Sequence, residues 1–590
     1  MSERVAAPMV MRRWTRDARL SMARLSLAGM PGLAGAKAPD APSVSIRDPW
    51  PGDTGRGTRL MKGELVFAGA VSRLEPGRGD GQWNDPAVPD ALRAHAHGFS
   101  WLRDLRALGT DGSRLRARSL VLEWLSRPPH DPVARLPHVV AERVTAWLAH
   151  YDFFAASADD SFRQKLMGRL MLEARVLAAS IPMPTHDHHA LTCLKGLLAC
   201  AVAMPGQAGF LTRVMRHLGP EIGRQILADG SHAERSPGVQ MAALRELAEM
   251  RALMQTGQIA QPLAMPAALD RMAPVLRALR HPDGGLALFN GSHEENAARI
   301  DLVLSQATRG RAVAQAMPDG GFVRIQSGRV LLLADAGPPP PAGFAETAHA
   351  GTLSFELSVG RERLIVNCGA GILPAWRDAL RATAAHSTLV VADTSSTEFR
   401  AGAVSRRPAT VTLDHHQASG AHWLDMSQDG YLPGFGATHT RRIYIAEGAE
   451  DIRGEDALLG ERPVAFALRF HLHPSVTVRR ESPQDEEGGA VLLTLPSGGK
   501  WRLRADSGQL SIEESIYLGG ENPKRTSQIV VGVTPPPPAG AAETANAAGG
   551  AAGGAAGGTA GGTAEGEAAG RLDPAQAARI VRWALNRVDF

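Results

Sequence analysis

The chain has 590 residues, several times the length of a typical domain, so we expect two or more domains. Hydrophobic residues make up 44% of the sequence and charged residues 21%, a composition that excludes a wholly disordered chain. No run of about 18 apolar residues occurs, which excludes a membrane-spanning helix. The net charge is only +4, and the arginines are interleaved with acids and accompany no nucleic-acid-binding module. We therefore expect no nucleic-acid partner.

The N-terminal stretch, residues 1–45, is predicted to be a loosely ordered tail because Pro39 and Pro42 punctuate it. Its apolar segment, 25–30, is short and is followed at once by Pro31, so it matches an export signal poorly. On this ground the sequence favours a cytoplasmic location or leaves the location open.

The next region, residues 46–318, has the periodicity of helices. One apolar stripe recurs at helical spacing and consists of Val140, Val144, Trp147, Leu148 and Tyr151. Further helices are predicted over 189–204, 206–218, 238–256 and 266–280. Because short turns join such helices into antiparallel hairpins, the pattern favours a helical toroid or solenoid over a compact bundle.

The period changes to that of strands near residue 320. Two apolar runs, 322–326 and 329–333, flank Ser327-Gly328 and predict a β-hairpin. More strands are predicted over 353–357, 364–366, 388–391, 442–445 and 491–495. Short strands with glycine-containing turns and no helices between them predict an antiparallel β-sandwich over 319–533. The predicted fold class is therefore α+β with two domains.

The C-terminal part changes composition again. Residues 534–570 are rich in proline, alanine and glycine and are predicted to be a disordered linker. The last segment, 571–590, is predicted to be a helix that begins at Asp573 and Pro574. Its apolar residues, which include Ile580 and Leu585, should dock on the folded body.

Three groups of residues could carry chemistry. His186, Asp187, His188 and His189 adjoin a helix start, where histidines can line a cleft and bind an anion, or form a solvated loop. The segment 229–237 ends in Ser236-Pro237, a helix N-cap and first position, and taken alone it indicates a capped loop. The strands carry scattered histidines, which bind a metal only if the fold brings them together: His349, His386, His439, His471 and His473.

The segments 229–237, 348–357, 385–388 and 470–474 together resemble the heparinase II/III family of polysaccharide lyases, over about residues 45–530. The resemblance implies an incomplete α/α toroid followed by an antiparallel β-sandwich, with an acidic polysaccharide bound between them. It implies β-elimination, in which an Asn or His neutralises a uronate carboxylate, a Tyr or His removes the C5 proton, and an acid protonates the leaving oxygen. It also implies a bacterial protein exported to the periplasm or cell envelope.

The resemblance also implies roles for individual residues. His188 and His189 stand where the family has its Asn-His pair, which makes them candidates for carboxylate neutralisation. No tyrosine follows Ser236-Pro237, so Tyr431 is the candidate phenol. The expected catalytic set is His188, His189, His232 and Tyr431, and the expected substrate-binding set is Glu234, Arg235, His439 and Arg441.

The family's metal motifs are altered in this sequence. The His-x-His-x-Asp pattern reads 347–351 here and keeps only His349, and the aspartate of a Val-Asp-Pro-Gly stretch is Asn367. His349, Asn367 and His386 remain as a weakened zinc set, because an asparagine carbonyl brings no charge to the metal.

Three functions follow from these residues. The leading hypothesis is a lyase that cleaves uronic-acid-containing glycans by β-elimination. The alternative is a catalytically weakened glycan-binding protein of the same fold. The third is a hydrolase, which needs two carboxylates across the scissile bond, and only Asp229 and Glu234 stand out for that role.

Overall fold

Helices dominate the chain up to residue 307, and strands dominate it from residue 322 onwards. The computed structural model describes residues 39–126, 130–183, 187–204, 206, 208–400, 403–460, 463–481, 489–534 and 580–588. The helices are α1 Thr54–Met61, α2 Asp90–Gly98, α3 Leu102–Leu108, α4 Asp111–Ser126, α5 Pro137–Ala149, α6 Tyr151–Phe154, α7 Asp160–Ser180, α8 His189–Ala203, α9 Ala208–Gln225, α10 Pro237–Thr256, α11 Ala264–Ala278, α12 Ala297–Ala307, α13 Pro374–Arg381 and α14 Leu432–Phe435. Within these ranges, no helix is both long and apolar enough to cross a membrane.

The helices of the first domain form an inner and an outer layer. The inner helices α2, α5, α8, α10 and α12 pack side by side in that order, while α4, α7, α9 and α11 pack outside them. The contact between α5 and α8 is so close that a Cβ on Gly196 would lie 2.7 Å from Cα of Ala141. This two-layer arrangement of antiparallel helices is that of an α/α toroid, one of the two architectures that the periodicity favoured and the one that the family resemblance implied.

The described part of the N-terminal tail belongs to this domain. Ser43 N donates to Ala203 O at 2.8 Å, and Val44 packs against the helical core. A short hairpin that the sequence did not predict, β1 Glu64–Phe67 with β2 Ala70–Arg73, follows α1. The rest of the predicted tail, residues 1–38, lies outside the described residues.

Two antiparallel sheets form the second domain. Their strands are β3 Phe322–Ser327, β4 Val330–Asp335, β5 Phe355–Val359, β6 Glu362–Val366, β7 Leu389–Val391, β10 Val411–Ala418, β11 Ala421–Gln428, β12 Ala437–Ile445, β13 Asp451–Gly460, β14 Phe466–Leu472, β15 Thr477–Arg480, β16 Gly489–Thr494, β17 Lys500–Ala505, β18 Gln509–Tyr517, β19 Lys524–Val533 and β20 Ile580–Val588. One sheet has the order β18-β19-β14-β6-β5-β4-β3, with β7 also paired to β14, and the other has the order β10-β11-β12-β13-β20-β17-β16-β15. A separate hairpin pairs β8 Glu398–Arg400 with β9 Ala403–Arg406.

Strand β4 shows how the sandwich joins the helical domain. Val330 and Leu332 point into the sandwich core, whereas Leu331 and Leu333 pack with Phe289 of the helical domain. Both faces of the strand are therefore buried, which accounts for its continuous apolar run. The β3–β4 hairpin predicted around Ser327-Gly328 is present, with Ser327 paired to Val330 and the turn at Gly328-Arg329.

The predicted C-terminal helix is wrong where the structure describes it. Residues 580–588 form β20, which lies between β13 and β17 and pairs with both. Val581, Trp583 and Leu585 alternate into the core, and Trp583 stacks on Phe355 at 5.8 Å. The segment docks on the body as expected, but as a strand, because a vacant place between two strands gives it hydrogen bonds on both edges. The predicted linker from 535 and the helix start at 573 lie outside the described residues.

Candidate active site

A cleft of about 2720 Å³ lies where the inner helices meet the loops of the β domain. Helices α5, α8 and α10 line one wall, and residues 345–347 and 404–407 line the other. Many charged side chains face the cleft, but they are largely paired with one another. Arg103 contacts Asp48 at 2.9 Å, and Arg245 contacts Glu249 at 3.1 Å. The cleft is therefore polar and nearly balanced in charge rather than strongly basic.

His188, immediately before α8, forms an ion pair with Glu234. Its Nδ1 lies 2.9 Å from Glu234 Oε1, and its main-chain N–H donates to the same oxygen at 2.8 Å. Glu234 is fully buried in the loop before α10, and its other oxygen accepts a bond from Thr347 Oγ1 at 3.2 Å. Burial opposes a charge on His188, but the Glu234 carboxylate outweighs it and raises the pKa of His188 to about 9. The pKa of Glu234 is lowered to about 2, since the same pairing overcomes its own burial.

Two neutral histidines stand beside this pair. The rings of His138 and His189 are stacked with centroids 3.8 Å apart, and His188 lies 4.1 Å from His189. Burial, with the nearby His188 and His138, holds the pKa of His189 well below its usual range. Burial and His188 likewise lower the pKa of His138 to about 4. At neutral pH one charged and two uncharged imidazoles therefore face the cleft.

His232 does not line the cleft, which corrects its expected catalytic role. Its Nδ1 accepts from Glu234 N at 3.1 Å, and its Nε2 is 3.0 Å from Gln225 Oε1. The side chain is buried behind Glu234. His232 therefore supports the loop that carries Glu234.

Arg235 binds the β domain instead of substrate, so its predicted substrate-binding role is wrong. It forms an ion pair with Asp335 and donates to the carbonyl of Gly320 at 2.7 Å and to that of Gly337 at 3.2 Å. A Cβ on Gly337 would lie 2.5 Å from its guanidinium, so a glycine is needed there. These side-chain contacts join the two domains.

His439 and Arg441 are also not substrate-binding residues. Both alternate inward on β12 and are fully buried, with Asp456 Oδ1 accepting from His439 Nε2 at 2.8 Å and from Arg441 Nε at 2.7 Å. Arg441 further donates to Leu353 O and Ser387 O. These charges are compensated inside the sandwich and cannot reach a glycan.

Tyr431 is likewise misplaced for catalysis. It immediately precedes α14, is 1% exposed in the sandwich core, and donates its hydroxyl to Leu389 O at 2.9 Å. Burial raises the pKa of this phenol, so the hydroxyl keeps its proton and is not available as a base. Among the residues that the structure describes around the cleft there is no tyrosine.

The three residues of the weakened zinc set do not fit a metal. His349 Nδ1 lies 3.3 Å from His386 Nε2, and His386 Nδ1 lies 2.9 Å from Ala382 O, so the two rings bond to each other and to the main chain. Asn367 Oδ1 accepts from Ser387 N at 2.9 Å. A Cβ on Gly351 would lie 2.6 Å from the His386 ring, which leaves no room for the family's carboxylate. Within the described ranges, no group of three His, Cys, Asp or Glu residues could hold a metal ion.

Sequence reasoning missed the contribution of α5 to the cleft. His138, Glu142 and Thr145 line it from one face of this helix. Their spacing of four and three residues was a usable signal, since such positions share a helix face. The apolar stripe on the opposite face of α5 is the stronger pattern in the sequence and obscures this polar one.

Comparisons with known proteins agree with this architecture. Residues 309–566 match the family described as heparinase II/III-like, C-terminal. The chain is 31% identical over 534 residues to FtsZ-localized protein C of Caulobacter vibrioides (strain NA1000 / CB15N), a match that covers 85% of this chain and 89% of that protein.

Two solved structures share the fold. The crystal structure of heparinase III superposes with a TM-score of 0.68 at 11% identity and covers 97% of this chain and 89% of that chain. A mutant of the heparan sulfate lyase HepC from Pedobacter heparinus has a TM-score of 0.57 at 14% identity, with 98% and 88% covered. At such low identity the likeness extends to the fold alone.

Proposed function

The chain belongs to the heparinase II/III-like family, and we propose that its cleft binds an acidic, uronate-bearing polysaccharide and cleaves it by β-elimination. The observation that supports this proposal is the contrast between adjacent histidines on the cleft wall. His188 is charged at neutral pH and His189 is not. β-Elimination needs a donor that neutralises the carboxylate and a base that does not already carry the proton it must accept.

His188 neutralises the uronate carboxylate. Glu234 holds its Nδ1 proton and keeps the ring positively charged, so Nε2–H remains to donate to an anion in the cleft. Withdrawing charge from the carboxylate acidifies the C5 proton of the sugar. A charge-assisted hydrogen bond of this type is about twice as strong as a neutral one.

His189 accepts the C5 proton. The electron pair of the C5–H bond forms the C4–C5 double bond, the C4–O bond breaks, and the leaving oxygen takes a proton. A positioned base of this kind contributes about 10²–10⁴-fold to the rate. A bound carboxylate beside His189 raises the proton affinity of the ring at the moment it is needed.

The test is an assay of unsaturated product. The protein is incubated with hyaluronan, chondroitin, heparosan, alginate and polygalacturonate, and the ultraviolet absorbance of the unsaturated uronate is followed. We expect His189→Gln to lose about 10²-fold or more in kcat and His188→Gln to lower kcat and raise KM. New reducing ends without unsaturation would overturn the proposal in favour of hydrolysis.

The second candidate is a glycan-binding protein without turnover. The lack of any tyrosine among the described cleft residues favours it, because the phenol expected of the family is missing. Calorimetric titration with the same polymers separates the two, since binding without a change in absorbance supports the second candidate alone.

The relative named FtsZ-localized protein C suggests a location. We propose that this chain also localises with FtsZ, in place of the cell envelope that the family resemblance implied. Co-sedimentation with FtsZ polymers checks this, and a chain that stays in the supernatant at every concentration would contradict it.

A further inference from the structure

The cleft floor holds a carboxyl group that the proposed function leaves unused. Glu142 lies on α5, on the face that also presents His138 and Thr145 to the cleft. Four residues separate it from His138, so their Cβ atoms are about 5–6 Å apart. The His138 ring stacks on the proposed base His189 at 3.8 Å, so Glu142 stands one turn of α5 from the ring that contacts this base.

Glu142 has no polar partner in the part of the chain that the structure describes. No hydrogen bond or ion pair within 4.0 Å is formed by its carboxyl group, which packs against the main chain of α2. There, a Cβ on Gly98 would lie 2.6 Å from Glu142 Oε2. The side chain is only partly covered and borders the cleft.

The cations near Glu142 are committed to other acids. Lys195 contacts Glu246 at 2.9 Å and Glu249 at 2.7 Å. The other two, Arg245 and Arg103, are held by Glu249 and Asp48. Glu142 is thus a carboxyl group left over in a cluster whose charges are otherwise matched.

The surroundings of Glu142 favour the protonated form of its carboxyl group. Burial, supported by the charge of Glu246, raises the pKa of Glu142 against the opposing effects of Lys195, Arg245 and Arg103. A carboxyl group that keeps its proton nearer to neutral pH can act as a proton donor.

We infer that Glu142 is the general acid of the reaction and donates its proton to the glycosidic oxygen as the C4–O bond breaks. The inference rests on the proposed function. His189 takes the proton from C5, Glu142 gives one to the leaving oxygen, and solvent restores both groups after product leaves. The acid and base then act from α5 and α8, which pack side by side along the same wall of the cleft.

The experiment compares two leaving groups in the full-length protein. One substrate is the uronate polymer on which the unaltered protein is active, and the other is a uronate bearing a dinitrophenoxy group at C4, whose departure needs no proton. We expect Glu142→Gln to lose about 10²–10⁴-fold in kcat on the polymer and to stay within a few-fold of the unaltered protein on the aryl substrate. Glu514→Gln, the same change at an exposed glutamate on β18 that does not line the cleft, is the matched control and should leave both rates unchanged.

Each other outcome has a distinct meaning. Equal loss on both substrates, or no loss on the polymer, would overturn the role of Glu142 while sparing the proposed function. Turnover of the aryl substrate alone by the unaltered protein would also overturn it, because no working acid would be present. Turnover of neither substrate by the unaltered protein would overturn the proposed function itself. Melting curves identify a variant that fails to fold, in which case Glu142→Asp is expected to retain part of the polymer rate and the full aryl rate.

Discussion

Removing the charge of Glu234 should discharge His188. In Glu234→Gln the side chain keeps its shape and can still accept a hydrogen bond, but the buried negative charge is gone. Burial, the largest effect on His188, lowers its pKa and is then opposed only by the charges of Asp187 and Glu346. We expect the pKa of His188 to fall from about 9 towards or below its ordinary value.

The loss of stability in Glu234→Gln follows from the pKa shifts of both His188 and Glu234. His188 is raised from 6.5 to about 9, and Glu234 is lowered from 4.5 to about 2. The two pKa shifts agree in size, and each corresponds to about 3 kcal/mol of interaction. Glu234→Gln should therefore destabilise the protein by up to about 3 kcal/mol where both groups are charged in the native protein.

The pH dependence has a definite sign. The pKa of His188 is raised on folding, so its contribution to stability is complete below pH 6.5 and is lost as pH rises through about 9. The pKa of Glu234 is lowered, so its contribution is complete above pH 4.5 and is lost as pH falls through about 2. The difference in stability between the native protein and Glu234→Gln should be greatest between pH 4.5 and 6.5 and should vanish above about 9.

Nuclear magnetic resonance of histidine-labelled protein measures the pKa of His188 directly, with His188→Gln to assign its signal. Urea denaturation across pH measures the stability difference. Glu346→Gln is the matched control, because Glu346 also borders the cleft but is 63% exposed and contacts His189 only at 4.0 Å. A His188 pKa that is the same in Glu234→Gln as in the native protein would refute the ion-pair reasoning, as would an equal shift in the Glu346 variant.

Three further predictions concern residues away from the reacting sugar. Trp583→Ala should lower the free energy of unfolding by about 3–5 kcal/mol, because the ring is buried in the sandwich. The side chain of Trp423 is 40% exposed, so Trp423→Ala should change the free energy of unfolding by about 0.5 kcal/mol or less in the same urea titration. Tyr431→Phe should leave turnover unchanged and cost about 1 kcal/mol of stability through the lost bond to Leu389, and a large fall in kcat would contradict its placement in the core. Elemental analysis should find no stoichiometric zinc in either the native protein or His386→Ala, and zinc that is present in the first and lost in the second would show that the pair binds metal.

Local pattern predicted most of the fold because most elements pair with near neighbours in sequence. The β3–β4 hairpin needs only the two runs beside Ser327-Gly328, and α10 begins at the predicted Ser236-Pro237 cap. The last strand could not be found in this way. Val581 and Leu585 are four apart and suit a helix, and the partners that make the segment a strand, β13 and β17, are distant in sequence.

The site was predicted only in part for a different physical reason. A motif shows which polar residues occur together but not which of them are compensated inside the protein. His188 and His189 reach the cleft because they begin an inner helix of the toroid. Arg441 and His439 share the same polar character, yet Asp456 on the neighbouring strand neutralises them in the core. Burial of a charge depends on a partner that only the fold brings close.

The adjacent residues Glu234 and Arg235 show how the two domains set the chemistry of one histidine. Arg235 has a φ of +51°, a left-handed conformation that costs about 1 kcal/mol or more in a residue with a side chain. Asn290 of the helical domain donates from Nδ2 to its carbonyl at 2.9 Å, and Asp335 of the β domain holds its guanidinium, so both domains fix this turn. The turn directs Glu234 the other way, towards His188, where Thr347 of the β domain also binds it. Because Thr347 binds Glu234 and Asp335 anchors the neighbouring Arg235, the β domain helps to hold in place the carboxylate that charges His188.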